Sequence, residues 1–258
     1  METLLLERRP GGVCHLRLNR PDAKNAMNGA MFRELSEVFS QVRASAEDRV
    51  LVITGAGDAF CAGADIVSFG GSGARSTLAA VREIHEVALA LHQIPVPTLA
   101  VLNGVAAGAG LNLALGCDLV LACESARLCE IFARRGLSID FGGSWLLPRL
   151  VGLQRAKQLA FFADWLSAQD AERIGLVTRV VPDAELEATA ASWAERLAAA
   201  PPIALSLSKR LLDDSFAASL PAALEAEARA QAINAASEDM REAFAAFREK
   251  REPRFRGR

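Results

Sequence analysis

Two stretches of this sequence are poor in reactive side chains and rich in uncovered backbone: FCAGADI at 60–66 and NGVAAGAGLN at 103–112. Gly and Ala leave N–H groups open, and a helix start just after such a loop turns them outward. Side by side, two such loops would supply a pair of donors fixed before charge develops, which is what an enolate or tetrahedral oxygen needs. The same glycines also suit tight helix–sheet packing, so both uses stay open on residue types alone. Asp140 is a carboxylate that could move a proton, because it stands in the otherwise uncharged segment GLSIDFGGS. Apolar neighbours disfavour its charged form, which suits a group that must pick up and return a proton. A turn or helix cap ahead of Gly142 and Gly143 is the other reading.

Other chemistries lack their residues. Neither glycine loop has GxGxxG spacing and no GxxxxGK[ST] occurs, which argues against a nucleotide phosphate loop. No HExxH or similar His/Cys cluster is present, so no metal is expected. The five cysteines, Cys14, Cys61, Cys117, Cys123 and Cys129, lack short paired spacings and read as small buried hydrophobes of a reducing compartment. A net charge of −2 gives no field for nucleic acid, the basic tail REKREPRFRGR at 248–258 reads as solvated, and METLLLERRP is no secretory signal. A cytoplasmic location is therefore expected. Residues 87–117 carry no charge, but Pro95, Pro97 and Asn103-Gly104 interrupt them, which fits a strand, a turn and a packed helix rather than a membrane span.

The elements that must position these loops alternate. Strand-like runs occur at 13–20, 49–57, 97–104 and 119–125, with a shorter one at 176–182. Helical patterns lie at 28–45 and 76–94, the first placing Met31, Leu35, Val38, Phe39 and Val42 on one face. This alternation predicts an α/β fold with parallel pairing. After a helix at 184–200 the breaker AAAPPIAL leads into helices to about residue 250, so a core over 1–200 is expected to give way to a helical part over 201–258.

LNRPDAKNAM (18–27), FCAGADI (60–66), NGVAAGAGLNLALGCD (103–118), GLSIDFGGSWLLPRLVG (136–152) and LSAQDAERIGLVTRVV (166–181) resemble, in order, segments of the crotonase or enoyl-CoA hydratase/isomerase family. The resemblance spans essentially the whole chain. It implies a spiral core of ββα units, a C-terminal α-helical part that builds a homotrimer or a hexamer of paired trimers, and an acyl-CoA thioester as substrate. Coenzyme A would arrive as part of that substrate, with no separate cofactor. The resemblance places the thioester oxygen between the N–H groups of Ala64 and Ala109. It places coenzyme A contacts at Asp22, Ala23, Lys24, Ala62, Asp65 and Ile66, with Phe247, Lys250 and the basic tail reaching phosphate from a neighbouring subunit. The Gly/Ser-rich stretch 67–78 would be a lid.

Hydratases of the family use two glutamates, and here Asn112 and Phe132 stand at the matching positions; neither exchanges protons. Glu130 lies two residues from the second position, where a local shift would make it the acid/base group in place of Asp140. Asp140 matches a loop position where some members carry the proton shuttle of an isomerase, and IDFGGSWLLPRLVG resembles the phenylacetate-pathway isomerase branch. A 3-enoyl to 2-enoyl isomerase using Asp140 is the leading expectation. The spacing of His85 before Asn103 is similar to 4-chlorobenzoyl-CoA dehalogenase, where a histidine works with an aspartate matching Asp140. A weak hydratase and a non-catalytic acyl-CoA binder are the remaining alternatives.

Overall fold

The computed structural model describes residues 1–65 and 74–258. Strands β1 (Leu4–Arg9), β2 (Val13–Leu18), β3 (Val50–Gly55), β5 (Thr98–Leu102), β7 (Leu119–Cys123) and β10 (Arg179–Val181) form a six-stranded sheet in the order β1-β2-β3-β5-β7-β10. All neighbours pair in parallel except β1 with β2. A second sheet holds β4 (Ala59–Cys61), β6 (Val105–Ala107), β8 (Arg127–Cys129) and β9 (Leu166–Ser167) in that order. Each long strand β3, β5 and β7 thus hands the chain to a short strand of the second sheet and then to a helix, the expected ββα spiral. The continuous apolar runs VLVI and TLAVL follow from this layering, since parallel strands are covered on both faces.

Helix α1 (Gly29–Ala44) begins where the Asn28 side chain accepts from the Met31 N–H at 2.9 Å, and it buries Met31, Leu35, Val38, Phe39 and Val42. Helix α2 (Ala74–His92) packs against α1. The wholly buried α3 (Ala109–Leu115) follows β6. Its packing depends on Gly110, where a Cβ would fall 2.4 Å from the Cys61 carbonyl oxygen. One glycine of the second loop therefore serves close packing, and the chain can do this without giving up the N–H groups at the start of the helix.

Helices α4 (Gly143–Val151), α5 (Leu153–Phe162), α6 (Ala168–Arg173) and α7 (Leu186–Ala199) complete the core side of the chain. Beyond Pro201 come α8 (Pro202–Asp214), α9 (Leu220–Ala236) and α10 (Glu238–Glu249), which bury few side chains. Lys209 of α8 is tied to Asp118 at 2.8 Å and to the Val96 carbonyl at 3.3 Å.

Strand-like 176–182 contributes only Arg179–Val181 to the sheet, because Leu176 and Val177 are consumed in the turn from α6. The charge-free 87–117 divides among the end of α2, β5, β6 and α3. Among the described residues no helix is long and apolar enough to cross a membrane. The cysteines are all buried and unbridged, and burial pushes the Cys61 and Cys117 thiols up to about 12.

Candidate functional site

The parallel pairing of β4 with β6 sets the two glycine loops next to each other. The first is laced to the segment before α1: Ala62 N–H donates to the Lys24 carbonyl, Met27 N–H to that of Gly63, and Asp65 N–H to that of Met27. These bonds leave the Ala64 N–H out of the ladder. Ala109 is the first residue of α3, where an N–H has no partner within the helix. The loops are close: a Cβ built on Gly63 would lie 2.9 Å from the Ala107 carbonyl oxygen and 3.9 Å from the Ala109 nitrogen. Backbone donors from both loops thus stand in one neighbourhood, and Phe132 packs over Gly108 beside them.

Behind the second loop, Asn112 of α3 is buried and its Nδ2 donates to the Asp140 carbonyl at 2.9 Å and to Glu130 Oε2 at 3.5 Å. Glu130 is 2% exposed, and burial pushes its carboxyl up to about 8, the nearby Asp140 charge adding to that rise while the Asn112 hydrogen bond opposes it. Asp140 is half-buried. Desolvation raises its pKa, partly offset by His85. Three buried atoms of this group, Asn112 Oδ1, Glu130 Oε1 and Asp140 Oδ1, have no hydrogen-bond partner among the described residues.

The Asp140 backbone does make the turn ahead of α4: its carbonyl accepts from the Gly143 N–H at 3.0 Å, and Phe141 takes a left-handed φ of 49°. Its carboxylate does not cap the helix, since no side chain caps α4. Phe141 is 1% exposed and its ring meets that of Phe32 at 6.2 Å, which holds the strained turn in place.

A cavity of about 500 Å³ runs along this turn between α2 and α4, lined by His85, His92, Asn112, Phe141, Trp145 and mostly apolar neighbours. His85 is an exposed residue of α2 on its wall. His92 lines the cavity as well and meets the Trp145 ring edge-on at 5.4 Å.

The remaining expected residues fall into two groups. Asp22 and Lys24 are exposed and Ala23 and Ala62 half-buried around the loop before α1; Asp65 pairs with Arg20 at 3.1 Å. Ile66 and residues 67–73 lie outside the described residues. Phe247, 83% exposed, and Lys250, at the end of α10, do not line the cavity. The basic tail is engaged with acids of its own helix, Arg251 with Glu242 and the Arg256 and Gly257 N–H groups with Asp239.

Little in the sequence marks two residues that build the site. Asn25 is fully buried and ties the loop before α1 to the β3–β4 connection, donating to the carbonyls of Ala56 and Ala59 at 2.8 Å each; only its place within RPDAKNA hinted at a role. Gly143 has no room for a side chain, since a Cβ there would fall 2.4 Å from Asn112 Nδ2. Gly143→Ala is expected to displace the Asn112 amide, costing about 1–3 kcal/mol by overpacking and lowering turnover; denaturant unfolding with a kinetic assay checks both.

Residues 8–258 match the profile of the Enoyl-CoA hydratase/isomerase family. A Rhodobacter capsulatus protein named "Probable enoyl-CoA hydratase" is 43% identical over 96% of this chain and 95% of its own length. The 1,2-epoxyphenylacetyl-CoA isomerase of Escherichia coli is 38% identical over 96% of both chains. The crystal structure of an enoyl-CoA hydratase from Bacillus anthracis superposes with a TM-score of 0.95 at 35% identity, covering 99% of this chain and 100% of the other. The paired backbone loops, the half-buried Asp140 turn and the apolar cavity accordingly sit on a familiar scaffold, and the chain belongs to the enoyl-CoA hydratase/isomerase family of acyl-CoA enzymes.

Proposed function

We propose that the protein shifts a double bond in an enoyl-CoA, 3-enoyl to 2-enoyl, with Asp140 as the proton shuttle. The carrying observation is the Asp140 carboxylate itself, half-buried, its Oδ1 without a hydrogen-bond partner among the described residues, on a turn whose next residue lines the cavity. Asp140 takes the proton on the carbon α to the thioester, and the electron pair moves into the carbonyl as a dienolate. The Ala64 and Ala109 N–H groups hold the oxygen while that charge exists. The proton returns at the γ carbon, the double bond ends conjugated to the thioester, and Asp140 is a carboxylate again. One acid/base group is sufficient, whereas hydration moves two protons at once. Since no electrons are gained or lost overall, coenzyme A as the carrier of the acyl group is the only cofactor this chemistry asks for.

The coenzyme A contacts proposed at Asp22, Ala23, Lys24, Ala62, Asp65 and Ile66 border the first loop, and Phe247 and Lys250 would act from an adjoining subunit. Exposed Leu212 on α8, Phe216 in the turn after it, and Leu220 and Leu224 on α9 support such an assembly. Light scattering is expected to give a trimer or hexamer; a monomer would remove the role of Phe247 and Lys250.

The test of the reaction is spectroscopic. With trans-3-hexenoyl-CoA the absorbance of a conjugated 2-enoyl thioester should grow, while crotonyl-CoA should be consumed slowly or not at all. Rapid loss of the crotonyl band would instead mean a hydratase. The Escherichia coli relative's name adds a ring-bearing thioester to the substrates worth trying. One observation favours a second reading: the charge of His85 offsets part of the desolvation that raises the Asp140 pKa, the pairing a dehalogenase-like hydrolase would use, and chloride release from 4-chlorobenzoyl-CoA tests it. Tight thioester binding without turnover of any of these would favour a binder.

A further inference from the structure

Glu130 has no place in the reaction just described, yet it is one of the most deeply buried carboxyl groups of the chain. Its surroundings show what it can do. Asn112 Nδ2 has two hydrogens and two acceptors, the Asp140 carbonyl and Glu130 Oε2, which fixes the amide with its nitrogen toward the Asp140 turn. The atoms left over on the two side chains are Asn112 Oδ1 and Glu130 Oε1, both buried and both acceptors. A carboxylate cannot satisfy that pair, because neither oxygen brings a hydrogen. A carboxylic acid can: its carbonyl oxygen accepts from the amide N–H and its O–H donates to the amide oxygen.

We propose that Glu130 is a positioning residue that, carrying a proton, forms a two-point acid–amide pair with Asn112 and so fixes the amide that holds the Asp140 turn at the reacting carbons. This rests on the Asp140 reading above. Glu130 acts through Asn112 and touches no substrate. Burial favours the neutral acid the pair needs. The groups facing it are consistent: Asp140, from the turn before α4, disfavours a second negative charge, Cys129 of β8 is a neutral thiol, and His85 of α2 acts on Asp140. Losing the proton would remove the donor to Asn112 Oδ1 and bury a charge beside Asp140.

The experiment compares Glu130→Gln and Glu130→Leu with the parent on trans-3-hexenoyl-CoA from about pH 6 to 10, with Asp140→Asn as the control for the reaction itself. Gln approximates the neutral acid, offering an N–H donor and a carbonyl acceptor side by side at every pH. The parent is expected to lose kcat as pH rises through about 8, Glu130→Gln to match it at neutral pH and lack that decline, and Glu130→Leu to lose at least about tenfold in kcat with KM little changed. A parental kcat in Glu130→Leu, or the same alkaline decline in Glu130→Gln, overturns the proposal. Full activity in Asp140→Asn would overturn the Asp140 reading and the proposal with it, whereas loss there with an unaffected Glu130→Leu rejects the proposal alone.

Thermal unfolding adds a readout that needs no turnover and serves if Glu130→Leu does not fold. A carboxyl raised in the folded state contributes stability that is full below its ordinary value of 4.5 and is lost as pH rises to about 8. The parent Tm should fall relative to Glu130→Gln across that window. Parallel Tm curves would mean that Glu130 is ionised in the fold and the acid–amide pair does not form.

Discussion

Replacing Asp140 by Asn should lower kcat for the double-bond shift by roughly 10²–10⁴-fold, the contribution typical of a positioned general acid–base group, with KM changed by only a few-fold. Asparagine keeps the size of the side chain, and the turn is made by backbone: the Asp140 carbonyl accepts from Asn112 Nδ2 and from the Gly143 N–H, bonds the substitution leaves intact. Folding should not suffer. Because desolvation raises the Asp140 pKa, the parent should be slow at low pH, where the shuttle already carries its proton, and gain rate as it deprotonates. Initial rates of conjugated-thioester formation, with circular dichroism to confirm the fold, settle the matter. Turnover within a few-fold of the parent would remove Asp140 from the reaction and leave the enolate without a base.

The second large effect concerns a backbone atom. Ala109→Pro removes one N–H and nothing else of chemical consequence, because Ala109 is the first residue of α3, a position where proline fits and where the N–H makes no helical bond. If that N–H holds the developing enolate oxygen, kcat should fall by about 10²–10³-fold, the range for losing one oxyanion donor. A neighbouring control is available. Ala109→Ser keeps the N–H and should retain most activity if the slightly larger side chain is accommodated. Stopped-flow or steady-state rates, compared at matched thermal stability, separate donor loss from misfolding; an unimpaired Ala109→Pro would mean that the oxygen is held elsewhere.

The sequence by itself determined the alternation of long strands with helices, because the long strands are continuous apolar runs and α1 and α2 carry a clear apolar stripe, signals that local periodicity transmits without tertiary information; the ββα spiral was implied only by the family resemblance. It also determined both glycine loops, since runs of Gly and Ala at strand ends stand out unaided, and it singled out Asp140 as a charge without charged neighbours. The short strands β4, β6, β8 and β9 were not legible, being two or three residues long, nor was β1, whose side chains are mostly exposed. Only the tertiary structure decided what these parts do together. Parallel pairing of β4 with β6 brought residues 64 and 109 into one neighbourhood, a left-handed φ at Phe141 shaped the turn that carries Asp140, and the closed fold joined Asn112 of α3 to Glu130 after β8 and to the Asp140 turn before α4 across 18 and 28 residues of chain. Burial is a property of everything that surrounds a group, so the sequence could name a carboxyl residue such as Glu130, while the desolvation that raises its pKa exists only once the fold has closed around it.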